Sequence, residues 1–141
     1  MSDPVFLGEI SDDIDALART MFGEARNQAA EGMQAVGNTI MNRVAKQTWY
    51  GLTPYEVCHK AYQYSCWNET DPNCEIITQV NPSSPVFADA LQIAQGVVNG
   101  TLPDLTDGST HYQVIGTNAA WSVGHTPAVT IGQHQFYNDI E

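Results

Sequence analysis

The sequence predicts an α+β fold, mainly α, in one domain with a small β-element late in the chain. Two patterns predict it. Three long segments place apolar residues at three-and-four spacing, and the last part of the chain breaks instead into short runs punctuated by Gly108, Gly116, Gly124 and Gly132. At 141 residues the chain suits a single domain, 1–141, with a real core, and no repeat, low-complexity tract or linker divides it.

The first helix is expected to be capped by Asp12 or Asp13 and to bury Ile14, Leu17, Ala18, Met21 and Ala25, with Gly23 interrupting it near its end. A second runs from about Ala29 to Lys46 on the stripe Met33, Val36, Gly37, Ile40, Met41 and Val44, where Gly37 implies close helix packing. Thr53 and Pro54 open a short helix over Tyr55 to Ala61. Tyr62 to Pro85 has little periodicity and many Asn, Asp, Pro and Ser residues, and reads as a long functional loop. Ser84 and Pro85 start the third long helix, its stripe is Phe87, Ala90, Leu91, Ala94, Val97 and Val98, and Gly100 stops it. Thr110 to Val114 and Ala128 to Ile131 read as short strands or extended loops.

With 16 acidic against 5 basic side chains the net charge is -11, so phosphate backbones and anionic bilayers are repelled. Nucleic acid and membrane insertion are therefore not expected, and a monomer is. Met1 to Asp13 lacks the basic-then-apolar pattern of a signal peptide, which implies synthesis in a cytoplasm. Cys58, Cys66 and Cys74 are spaced unlike close Cys-x-x-Cys pairs, so neither metal nor cofactor is expected.

At about 100 degrees per residue, Glu24 falls beside Leu17 on the edge of the buried stripe, while Arg19 and Arg26 point away. Burial disfavours a charged carboxylate and suits a general acid that keeps its proton near neutral pH. The alternative is a helix-end Glu paired with a nearby Arg.

The string Gly23-Glu24-Ala25-Arg26 is followed by Gly32-Met33-Gln34-Ala35-Val36 and Asn42-Arg43-Val44, then by Gln63-Tyr64-Ser65-Cys66-Trp67-Asn68, Thr110-His111-Tyr112, Trp121, and Ile131-Gly132-Gln133-His134-Gln135-Phe136-Tyr137. From about Leu17 to Tyr137 these blocks resemble the SleB/CwlJ family of cell-wall hydrolases, with Tyr64 where the family usually has Phe and Asn27 where it usually has Gly. The resemblance implies a lysozyme-like, transglycosylase-type fold, cleavage of the bond from N-acetylmuramic acid to N-acetylglucosamine in bacterial peptidoglycan, and a catalytic glutamate at Glu24. Peptidoglycan is itself anionic, so contact must come from a shaped groove rather than long-range attraction. A compact chain of this kind without a leader suggests a phage endolysin released through holin-formed holes, or equally a bacterial enzyme.

A hydrolytic glycosidase ordinarily needs two carboxylates. Asp71 and Asp107 are candidates for the second, but Asp71-Pro72-Asn73 and Asp107-Gly108 are turn sequences. A lytic transglycosylase needs one: the acid protonates the leaving oxygen, then takes the proton of the sugar's own C6 hydroxyl, which attacks the anomeric carbon and leaves a 1,6-anhydromuramic end. Ser65 and Tyr112 are candidates for hydrogen bonds to substrate, and Trp67 or Trp121 for stacking on a sugar face, with core packing as the alternative. Gln63 would orient Glu24 or a sugar amide, or lie on the surface. Thr110, His111 and His134 would support the site, or be structural. Arg43 either anchors a carboxylate of the fold, the simpler reading, or meets one on the substrate. Competing functions are a muramidase using the same acid, a cysteine peptidase with Cys58 or Cys66 as nucleophile and His111 or His134 as base, and a non-catalytic wall-binding module.

Overall fold

The first helix, α1 (Asp12–Ala25), is capped by Ser11, whose Oγ accepts from the Ile14 amide at 3.1 Å. The expected cap was one of the two aspartates that follow; they occupy the first turn instead, where their charge complements the helix dipole. This computed structural model describes residues 10–60 and 63–140. The reading of Met1 to Asp13 as lacking a leader therefore falls mostly outside the described residues, as do Ala61 and Tyr62 of the expected third helix and loop.

Helix α2 (Ala29–Lys46) crosses α1, and α5 (Pro85–Asn99) packs on both. Leu17, Met21, Val36, Ile40, Phe87 and Leu91 meet in the centre and are fully or almost fully buried, each contributing roughly 1.5–3 kcal/mol by removal from water. Gly37 permits the close approach its place in the stripe implied: a Cβ there would lie 2.9 Å from Met21 Sδ. The short helix α3 (Pro54–His59) is capped by Thr53, as expected.

The stretch from Tyr62 to Pro85 is not a plain loop. It contains a 3-10 turn at Ser65–Trp67 and a further helix, α4 (Pro72–Gln79), with Asp71 as N-cap and Pro72 in its first turn. Its periodicity is weak because Ile77 alone is fully buried, and polar bonds fasten it to α1. Arg19 Nη1 donates to the Ile77 and Val80 carbonyls at 2.6 and 2.9 Å, and Arg26 Nη2 donates to Asn73 Oδ1 at 2.8 Å. The two arginines do leave the apolar stripe, but they point onto α4 rather than into water.

The late β-element is a three-stranded antiparallel sheet in the order β1-β3-β2, formed by β1 (His111–Val114), β2 (Val129–Ile131) and β3 (His134–Tyr137). Its central strand β3 was not among the runs read as strands. Tyr112 pairs with Phe136 and His111 with Tyr137. One face of α2 sets the approach to β1: Asn38 Oδ1 accepts from the Leu105 amide, Asn42 Nδ2 donates to the Ser109 carbonyl, and Arg43 Nε donates to the Thr110 carbonyl at 2.7 Å. Inside that turn, burial pushes the Asp104 carboxyl up, but hydrogen bonds from Thr106, Asn42 and Gly108 outweigh it and hold the group below the usual carboxylate range. The first residues of the sheet are thus delivered opposite the end of α1. The architecture is mainly helical and lysozyme-like with a small sheet.

Candidate active site

Glu24 occupies the last turn of α1, half-buried, at the floor of a cleft of about 400 Å³. Both carboxylate oxygens are engaged. Oε2 accepts from the Cys66 amide at 3.1 Å, and Oε1 accepts from the Tyr112 hydroxyl. The first contact depends on Gly23, since a Cβ there would lie 2.8 Å from Cys66 Cβ and 2.8 Å from Ile77 Cγ2. The alternative, a helix-end ion pair between Glu24 and a nearby Arg, is not formed among the described residues: Arg19 pairs with Asp15 and Arg26 is turned toward Asn73.

The cleft gathers Glu24, Arg43, Gln63, Ser65, His111, Tyr112 and Trp121, all named from sequence, and adds Trp49, which was not. Trp49 is 60% exposed, and its only sequence signal is a large aromatic among polar residues just past the end of α2. Ser65 is exposed at the start of the 3-10 turn, beside the amide that holds Glu24. Gln63 does not reach Glu24. Its Nε2 donates to the Tyr50 and Val57 carbonyls at 2.8 and 2.9 Å, and its Oε1 accepts from Arg43 Nη1 at 2.5 Å, so this amide positions the guanidinium.

His111 lies between Tyr50 and Trp121, with ring centroids 6.1 and 5.0 Å away, and shares a 2.9 Å hydrogen bond with the Thr110 hydroxyl. Burial, reinforced by the Arg43 charge, pushes it down to about 4, which keeps the ring neutral at neutral pH. Thr110 is buried behind the cleft wall. His134 also stands behind it, packing on the Tyr112 ring at 4.9 Å. Burial lowers its pKa while the Glu24 charge opposes the shift, and its Nδ1 has no hydrogen-bond partner among the described residues. Burial, then the Glu24 charge, raises Tyr112 well above the usual tyrosine range, so its hydroxyl keeps its proton.

Trp67 is not brought to the Glu24 cleft. Its indole Nε1 donates to Thr20 Oγ1 at 2.8 Å, and its ring lies 4.2 Å from His59 in a separate groove with Tyr55 and Arg19. The sequence cannot reveal this, because Ser65 and Trp67 stand in one short 3-10 turn yet line different concavities.

Among the described residues, Glu24 is the only carboxylate lining the cleft. Asp71 accepts from the Asn73 amide as the α4 cap, and Asp107 accepts from Asn138, so both serve turns as their sequences suggested. Nor does Cys58 or Cys66, the two candidate thiols, offer a nucleophile to the cleft. Burial pushes Cys58 up to about 12 and Cys66 higher still, and neither lines the cleft. Among the described residues no cluster of His, Cys, Asp and Glu is arranged to hold a metal ion, and no helix is long and apolar enough to cross a membrane.

Fold and site together define a lysozyme-like domain with a single-carboxylate cleft. The chain belongs to the cell wall hydrolase family, whose model matches residues 27–137 and so begins just past Glu24. Two solved structures share the fold: the catalytic domain of the Bacillus cereus SleB protein (TM-score 0.70) and that of the germination-specific lytic transglycosylase SleB from Bacillus anthracis (TM-score 0.69). Each is 20% identical to this chain, and each match covers 96% of this chain and 99% of the other. A search of curated proteins finds no significant match.

Proposed function

We propose that the protein degrades peptidoglycan by cutting its glycan strand between N-acetylmuramic acid and N-acetylglucosamine, as a lytic transglycosylase with Glu24 as its acid and base. The observation that carries this reading is one carboxylate, bonded on both oxygens, in a cleft that holds no second one among the described residues. Glu24 also borders a second concavity, with Gly23, Arg26, Asn27 and Asn73, so a polymer can pass the carboxyl on both sides. Family membership and the likeness to a lytic transglycosylase support the same reaction class.

The protonated carboxyl gives its proton to the glycosidic oxygen as the bond to the anomeric carbon breaks. The muramic C6 hydroxyl then adds to that carbon, and the Glu24 carboxylate takes the hydroxyl proton. Tyr112 and the Cys66 amide keep the same carboxyl in register for both steps. No second carboxylate has to activate a water, as a hydrolytic mechanism would require.

Digestion of purified sacculi with the wild type and with Glu24→Gln, followed by mass spectrometry, tests this. The wild type is expected to release ends one water lighter than reducing ends, and Glu24→Gln to release none. Reducing muramic ends alone would make the enzyme a muramidase with the same acid, and undiminished digestion by Glu24→Gln would overturn the assignment of Glu24.

A further inference from the structure

We infer that Arg43 forms a carboxylate-recognising subsite in the Glu24 cleft, reading an acidic substituent of the glycan strand beside the scissile bond. The inference rests on the glycan-cleaving reading of that cleft. Arg43 is 7% exposed yet lines the cleft. Its guanidinium lies 4.6 Å from the centroid of the Tyr50 ring and 5.3 Å from that of Tyr64. Of its five N–H donors, Nε is committed to the Thr110 carbonyl and one on Nη1 to Gln63 Oε1.

Every one of these partners is neutral. Among the described residues Arg43 makes no ion pair, so no carboxylate of the fold answers it, contrary to the simpler reading of the sequence. A buried cation held by neutral acceptors alone is costly, and a side chain serving only to brace two loops gains nothing from the charge. The rings and the two accepting oxygens soften that cost and fix the fork in place. Gln63 cannot turn away, because both backbone carbonyls hold its amide. His111 is neutral and adds no competing charge.

A planar fork with free N–H groups, fixed at the wall of a cleft in a chain of net charge -11, matches a carboxylate delivered by the substrate. Muramic residues carry a lactyl group whose carboxylate is free where the stem peptide is absent and amide-bonded where it is present. Stem peptides bear further carboxylates.

Binding is read from the fluorescence of Trp49 and Trp121, which line the cleft. The probes are muramic oligosaccharides stripped of stem peptides, the same strands with their carboxylates converted to amides, and stem-bearing strands. Wild type is expected to bind stripped strands roughly tenfold or more tightly than amidated ones, the scale of a partly desolvated charge pair. Arg43→Gln reduces that ratio to about one, and Arg43→Lys keeps part of it, charge without fork. Stem-bearing strands bound like stripped ones show that a stem carboxylate also occupies the subsite, and bound like amidated ones restrict it to the free lactyl group. Equal wild-type affinity for stripped and amidated strands overturns the subsite, whether or not the variants fold. Sacculus digestion with the same samples separates the two readings: preference without digestion sinks the Glu24 chemistry alone, and digestion without preference sinks the subsite alone.

Discussion

The Tyr112 hydroxyl donates its hydrogen bond to Glu24 Oε1 across 88 residues of sequence, tying the first strand of the sheet to the last turn of the first helix. The tyrosine ring is itself wedged between His134 and Phe136, with centroids 4.9 and 5.5 Å away. Its hydroxyl is therefore a fixed donor rather than a wandering one.

Tyr112→Phe keeps the ring and removes only that donor. Losing one partner of a part-buried hydrogen bond costs about 1–3 kcal/mol, so sacculus digestion is expected to fall roughly fivefold to a hundredfold with the fold retained. Thermal melting and digestion rates on one preparation check it, and unchanged digestion would remove Tyr112 from the positioning of Glu24.

Gly23→Ala puts a methyl group into Cys66 and Ile77. Alanine favours a helix over glycine by about 1 kcal/mol, but overpacking of this kind costs roughly 1–3 kcal/mol. The expected net result is a lower melting temperature together with a larger loss of activity, because the Cys66 amide is pushed off the carboxylate. A more stable and fully active variant would contradict the contact.

Stability should fall in mild acid. His111 is depressed from its ordinary value of 6.5 to about 4, and His134 is also lowered. Between about pH 6.5 and 4 the unfolded chain binds more protons at these rings than the folded one. Their contribution is thus complete above about pH 6.5 and is lost as the pH drops toward 4. Melting temperatures across that window should decline for the wild type and decline less for His111→Gln; parallel curves would count against the assignment.

Trp49, in the Glu24 cleft, and Trp67, in the separate groove with His59, should separate cleanly. Trp49→Ala, at an exposed cleft position, is expected to raise the half-saturating concentration of soluble glycan several-fold with little change in melting temperature. Trp67→Ala removes packing and the bond to Thr20, and is expected to destabilise by roughly 3 kcal/mol without a specific loss of affinity. The reverse pattern would restore Trp67 to the substrate.

Much of this was legible in the chain. The stripes of α1, α2 and α5 are strictly periodic because each buries one face in a common core, and Glu24 was placed at a stripe edge by the same periodicity. What escaped was set by contacts distant in sequence. Helix α4 is held by Arg19 and Arg26 together with the single buried side chain of Ile77, too few apolar contacts to leave a periodic stripe, and β3 gains its definition from two neighbours. The partner of Gln63 and the far side occupied by Trp67 follow from a turn whose direction no local pattern encodes.

The carboxyl of residue 24 is secured by groups from residues 66 and 112, two segments far from it along the chain. A nascent or partly melted molecule holds the glutamate but not its clasp. The fixed orientation of that carboxyl is in this way a property of the finished tertiary structure, not of the first helix by itself.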